Sequence, residues 1–211
     1  MASDPSASPE TQPVRVGVFI DWQNCYRTAR DAFGFAGSGI DGNVYPLKLA
    51  RALAMSRGQG NPAGELTRLR IYTGRASQHH DARTYAANRR QFAAWTKGNG
   101  DLVEVIARTL DYKLGRPREK GIDVQLAIDM VRTTLFEDEH DVAVLVSADT
   151  DLLPAIELIA QRQGTAAIGV ATWEGPYWAP SPLTLRGVTI RQHQPTRRVY
   201  DQLADPTDYR G

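Results

Sequence analysis

The sequence predicts an α/β fold with a mostly parallel central sheet and helices on both of its faces. Two observations carry this. Short apolar runs of strand length alternate with longer helical segments along most of the chain. The 211 residues are 42% hydrophobic and show no internal repeat and no second core, so one well-packed domain is expected.

The elements follow in order. Residues 14–21 form an apolar run that ends in an acid and read as the first strand. A helix follows over residues 24–33. The glycine-rich stretch 34–42 comes after that helix and has the wrong spacing for a dinucleotide-binding fingerprint. Residues 46–55 read as a second helix with Pro46 in its first turn, and 57–64 as a flexible turn. The second strand is expected over 66–73, and the third over 102–107. Between them lies a long helix at 81–97, stopped by Gly98 and Gly100. A polar, basic loop spans 109–121. Then come a helix at 122–135, the most apolar strand at 142–147 and a helix at 150–163 stopped by Gly164. A strand at 166–171 and an edge strand at 188–191 complete the sheet. The domain is set at 14–194, between a disordered Ser/Pro-rich leader at 1–13 and a loose, flexible polar tail at 195–211.

The net charge of +1 predicts no partner. Its distribution is uneven, because residues 68–120 hold twelve Lys/Arg against five acids. Such a stretch either tracks a phosphate backbone or forms solvated helix faces, and charge alone leaves both open. Cys25 is the single cysteine, which excludes intramolecular disulfides and cysteine-based zinc sites. A buried, inert thiol in a reducing, cytoplasmic setting is expected. The first residues lack the basic and apolar regions of a signal peptide. No stretch approaches the roughly 20 apolar residues of a membrane span.

The chemistry concentrates in acids. Asp21 closes the first strand, Asp149 and Asp151 follow the strand at 142–147, and Asp123 opens the helix at 122–135. In an open parallel sheet, ligands bind outside the C-terminal strand ends, near the point where strand order reverses. Each acid alone has a plain explanation as a helix cap or first-turn acid. Together on one edge they repel one another unless a divalent cation neutralises them. Oxygen donors without Cys or His favour Mg²⁺ or Mn²⁺ over Zn²⁺. Such an ion can activate a water for attack on a phosphodiester. Asp129, six residues after Asp123, faces elsewhere on the helix, so a salt bridge or a supporting role behind the ligands is expected rather than direct ligation. Asp21-Trp22-Gln23 lacks the second acid of the aspartyl phosphotransferases, and no Walker loop or nucleophile elbow occurs. His79 and His80 read as a surface pair.

Three motifs together resemble a known family: residues 19–24 (FIDWQN), 119–131 (EKGIDVQLAIDMV) and 145–154 (LVSADTDLLP). They look like the NYN domain, including the LabA/DUF88-like branch of the PIN-like nuclease superfamily, over roughly residues 15–191. The resemblance implies a three-layer α/β/α PIN-like sandwich and a Mg²⁺- or Mn²⁺-dependent endoribonuclease. It implies Asp21, Asp123 and Asp149 as the catalytic, metal-holding acids, with Asp151 as a fourth. Asn24 matches the family's asparagine after the first strand. Ser147 and Thr150 are expected close enough to orient a ligand or a water, and Lys120 to neutralise a phosphate oxygen. Trp22 and Gln23 replace smaller residues, and Ala148 stands where glycine is common; neither departure removes an acid.

On this reading the substrate is single-stranded or structured RNA, guided by Arg75, Lys113, Arg116, Arg118 and Lys120. Tyr72, Tyr112 or Trp22 would stack a base. No membrane partner is expected, and a homo-oligomer stays open. A non-catalytic RNA-binding or regulatory domain, and a DNA-directed nuclease or a toxin with the same acids, are the alternatives. The loop carrying Trp173, Tyr177 and Trp178 is expected to pack or to form an interface.

Overall fold

The computed structural model describes residues 12–37, 39–56, 64–113, 115–178, 183–185, 187 and 189–211. Six strands form one parallel sheet: β1 (Val14–Asp21), β2 (Gly64–Arg75), β3 (Val103–Thr109), β4 (Val142–Val146), β5 (Ile168–Ala171) and β6 (Arg191–His193). Their order is β3-β2-β1-β4-β5-β6. The helices are α1 (Trp22–Phe33), α2 (Pro46–Met55), α3 (Ala82–Thr96), α4 (Ile122–Leu135), α5 (Leu153–Gln163) and α6 (Arg197–Leu203).

Side chains alternate across a strand, so each central strand feeds two cores. From β1, Val16, Val18 and Ile20 point to one face and Phe19 to the other. From β4, Val142, Val144 and Val146 share the first face, and Ala143 and Leu145 the second. The first face is covered by Ala29 of α1, Leu49 and Leu53 of α2, Trp95 of α3 and Tyr200 of α6. The second is covered by Leu126 and Met130 of α4 and Ile156 and Ile159 of α5. This is the expected three-layer α/β/α sandwich. The chain runs outward from β1 to β3, then crosses back to place β4 on the other side of β1. Because parallel crossovers are right-handed, that reversal sends the helices to opposite faces and opens a crevice above β1 and β4.

Several boundaries differ from expectation. α1 begins at Trp22 rather than at 24, because Asp21 itself caps it. The helix expected at 150–163 opens as a 3-10 turn, Thr150–Leu152, before α5 starts with Pro154 in its first turn. Residues 165–167 also form a 3-10 turn, which shortens the next strand to 168–171. The edge strand sits at Arg191–His193, not 188–191, and residue 188 lies outside the described residues. So do residues 1–11 of the expected leader and 57–63 of the expected turn.

The loose tail expected from 195 onward is corrected. Within it, α6 buries Tyr200 and Leu203 against the first face. The Tyr200 hydroxyl accepts the Gly42 N–H at 2.8 Å, and Val44 and Ala204 form an antiparallel bridge. Two apolar anchors in seven residues are too short a signal for helical periodicity to register in sequence.

A buried histidine carries part of the stability. His140 is 1% exposed. Its Nε2 meets the Thr134 hydroxyl at 2.9 Å, while Nδ1 is buried without a partner among the described residues. The ring lies over Gly17 of β1, where an added Cβ would stand 2.6 Å from it. Burial pushes the imidazole down to about 4 from 6.5. The unfolded chain therefore binds a proton that the folded chain refuses between those values, and stability falls as pH drops through that window. The loss is on the order of 3 kcal/mol, at about 1.4 kcal/mol per pH unit. In urea titrations, the stability difference between wild type and His140→Asn should shrink as pH falls from about 7 to 4. A pH-independent difference would contradict this reading.

Candidate active site

Two strand ends meet through one hydroxyl. Asp21, the last residue of β1, uses Oδ1 to accept the Asn24 N–H at 3.1 Å and so caps α1. Its Oδ2 accepts from the Ser147 hydroxyl at 3.2 Å. The same Ser147 oxygen accepts the Asp149 N–H at 3.1 Å. Asp149 in turn caps the 3-10 turn, accepting the Asp151 N–H at 2.9 Å. A second strap runs beside the first: the Asn24 side-chain oxygen accepts the Ala148 N–H at 3.0 Å. The turns after β1 and β4 are thus fastened to each other in register.

Asp123 arrives from a third segment. It lies in the first turn of α4, which follows Gly121 at φ +72°. That left-handed conformation is cheap only for glycine and turns the basic loop into the helix beside the strand ends. Asp21, Asp123 and Asp149 each present a carboxylate oxygen, all within 4.8 Å of one another. Capping and clustering therefore coexist for Asp21 and Asp149.

Such proximity shows in the titration of the group. Burial, then the Asp123 and Glu119 charges, push the Asp21 carboxyl up to about 7 against the pull of its hydrogen bonds. Asp123 is also raised, by burial and then by Asp149 and Asp151. The site is short of positive charge. That donor set, all carboxylate oxygen with no sulfur or imidazole, fits a hard divalent cation.

Asp151 is not brought into the three-acid cluster. It is exposed and lies beyond Asp149, though its charge still reaches Asp123. Asn24 lines the cleft, and its side-chain oxygen is committed to the Ala148 N–H, so it positions the site. Ser147 is buried behind Asp21, and Thr150 is exposed at the head of the 3-10 turn. Asp129 stands apart as expected, accepting from Tyr72, Gln125 and Arg132.

The acids open onto a cleft of about 780 Å³. Its cationic walls are Arg27 and Arg118. Arg75, Lys113, Arg116 and Lys120 do not line it; the Arg75 guanidinium lies 5.8 Å from the Tyr85 ring centre instead. Much of the basic surplus serves the fold. Arg70 is buried with Glu139 and Glu104, Arg68 donates to the Asp101 carbonyl, and Arg108 to Gly121. Tyr72 is fully buried and cannot stack a base. Trp173 is buried too, donating to the Cys25 carbonyl at 3.0 Å, so it packs, whereas Tyr177 of the same loop is exposed. Burial pushes the Cys25 thiol up to about 12, so it is inert.

Three residues at the cleft were not assigned there from sequence. Glu119 accepts the Gly74 N–H at 2.5 Å, and burial raises its carboxyl. With the Gln23 amide oriented to satisfy both ends, Gln23 donates to Glu119 at 2.8 Å and accepts from Arg27 at 3.0 Å. Gln23 and Arg27 stand four apart on α1, a spacing that places them on one helix face. That spacing was the available signal.

The chain is an α/β domain whose parallel sheet carries clustered carboxylates at its switch point. The comparison with known families makes this specific. The NYN domain model matches residues 15–184, and the chain belongs to that family, within the PIN-like nuclease superfamily. The fold is also similar to the crystal structure of a protein of unknown function from Vibrio parahaemolyticus. That likeness has 20% identity and a TM-score of 0.54, over 93% of this chain and 96% of that one. It speaks for the fold alone. No curated protein matches the chain.

The raised Asp21 carboxyl predicts a stability cost in chelator. Its folded value of about 7 lies above the ordinary 3.8. The folded state therefore holds the proton more tightly, and its contribution to stability is lost as pH rises through that window. Asp21→Asn should raise the melting temperature in EDTA at about pH 8, and the gain should fade towards pH 4. No gain at the higher pH would show that the acids do not strain the fold. The His140 effect runs the opposite way over an overlapping range, so each is read as a difference from its own variant.

Proposed function

We propose that this NYN domain is a divalent-metal-dependent endoribonuclease, with Mg²⁺ or Mn²⁺ held by Asp21, Asp123 and Asp149. The observation that carries this is the convergence of three carboxylates from three separate segments at the sheet's switch point. A bound cation would offset their repulsion and supply the positive charge that water activation and phosphodiester hydrolysis require.

The chain's own residues do the rest. Ser147 and Asn24 hold the β1 and β4 turns so that Asp21 and Asp149 face one cleft. Arg27 and Arg118 flank those acids and attract phosphate oxygens. Asp151, exposed next to the cluster, serves as an outer acid rather than one of the three holders. The exposed cations Lys113, Arg116 and Lys120 lie on the loop leading into Asp123 and guide the RNA backbone toward the cleft. Arg75 and Thr150 have no direct substrate contact in this reading. Membership of the LabA/DUF88-like branch and a cytoplasmic setting belong to the same proposal. No described helix is long and apolar enough to cross a membrane.

Labelled single-stranded RNA should be cut in Mn²⁺ or Mg²⁺ and left intact in EDTA. Asp149→Asn should lower the rate by about 10²-fold or more, the scale for losing one preorganised electrostatic group. Equal cleavage by both proteins would sink the reading. Faster cleavage of DNA than of RNA of the same sequence would move the substrate to DNA. RNA binding without cleavage in either metal would favour a regulatory domain.

A charge test separates guidance from chemistry. Lys113→Ala combined with Arg116→Ala should weaken RNA binding and flatten its salt dependence, with the rate at saturating RNA unchanged. An unchanged salt slope would show that the loop does not touch the backbone.

A further inference from the structure

Beyond Gln23, Leu110 and Glu119, the acid cleft adjoins a second cavity of about 470 Å³ that shares those three residues as its sill. α1 contributes Trp22 and Tyr26, α3 contributes Asn88 and Gln91, and the chain after α6 contributes Tyr209 and Arg210. The volume falls within the roughly 300–1,000 Å³ of small-molecule sites. We propose that this cavity is a nucleobase pocket, receiving one unstacked base of a single-stranded RNA whose backbone crosses the acids. The proposal rests on the nucleic-acid reading of the neighbouring cleft and deepens it.

The two compartments differ in chemistry. The acid cleft holds three clustered carboxylates and two arginines. The second cavity offers aromatic rings and neutral amides, with Glu119 at the sill and Asp208 as its other acid. Asp208 is engaged by the Arg210 N–H at 2.9 Å. A wall of rings and amides suits a flat heterocycle, because rings take its face and amides take the donors and acceptors on its edge. Arg210 is the single cation among its lining residues, set against Glu119 and Asp208. Since the compartments share a sill, one nucleotide can place its phosphate in the first and its base in the second. A paired base would have to leave its duplex to enter, so the pocket selects single strands, loops or bulges.

The walls are built before any ligand arrives. Trp22 packs on Trp95 with ring centres 4.4 Å apart. Asn88 accepts the Ala76 N–H at 3.0 Å, which fixes its oxygen. Its nitrogen has no partner among the described residues, and neither end of the Gln91 amide has one. Tyr209 donates to Asp205 at 2.7 Å, and the Arg90 guanidinium donates to the Tyr209 carbonyl at 2.8 Å. The segment after α6, expected to be loose, is thereby held as one wall of the cavity.

Nucleoside 5′-monophosphates and ribose 5-phosphate are titrated into the full chain in Mg²⁺ buffer and followed by calorimetry. At least one nucleotide should bind about ten-fold or more tightly than ribose 5-phosphate, the scale of one stacked base. Asn88→Asp keeps the acceptor for Ala76 and removes the free donor. Gln91→Ala breaks no bond with any described residue. Each should narrow the gap to about three-fold while circular dichroism stays unchanged. Equal binding of nucleotides and ribose phosphate, or a gap that neither variant alters, overturns the pocket. The cleavage assay reads the other claim. Base-selective binding without RNA cleavage keeps the pocket and removes the ribonuclease reading. RNA cleavage without base-selective binding keeps the ribonuclease and removes the pocket.

Discussion

The Ser147 hydroxyl is the joint on which the site depends. It donates to Asp21 at the end of β1 and accepts from Asp149 after β4. Those two strands become neighbours only because the chain reverses direction between β3 and β4. The topology supplies the crevice, and the hydroxyl fixes how two acids face it. Asn24 adds a second tie across the same gap. Asp123 then arrives from the opposite layer, on a helix whose entry requires a left-handed glycine. Three like charges are held together by the covalent chain and by hydrogen bonds that Asp21 and Asp149 themselves accept.

That arrangement works against the folded state. A surface aspartate would ionise near 4, whereas Asp21 is pushed up to about 7 by burial and by its neighbours. A structural role alone would not call for such a cluster, since helix capping needs one acid per helix and no convergence. Stability is therefore given up where the fold also opens a cleft with cationic walls. That pattern is the usual mark of a functional site. The buried His140 is different in kind. It is held neutral far from the cleft, packed over Gly17, and serves the sheet.

The fold was largely legible because its strands are buried on both faces and read as continuous apolar runs, as in 142–146. The bounds of α2 and α4 were readable for a similar reason, since proline or glycine marks their starts. The three acids were legible from position, each following a strand or opening a helix. The share of Asp151 was not, because its spacing is equally good for a cap or a holder, and only the direction of its side chain decides. The basic surplus misled in part. Sequence cannot show that Arg70 is spent on Glu139 or Arg90 on a carbonyl across the chain. Gln23, Arg27 and Glu119 were hidden for the same reason: their bonds link residues far apart in sequence. α6 escaped because a short helix anchored by Tyr200 and Leu203 resembles a polar tail until its docking face is seen.

The central claim is that Asp21, Asp123 and Asp149 form one cation site. Anomalous diffraction from crystals grown in millimolar Mn²⁺ tests it most directly. A manganese peak bounded by oxygens of all three carboxylates is expected, and it should be lost in Asp149→Asn crystals. A peak elsewhere on the chain, or none at that position with the three carboxylates still clustered, would contradict it.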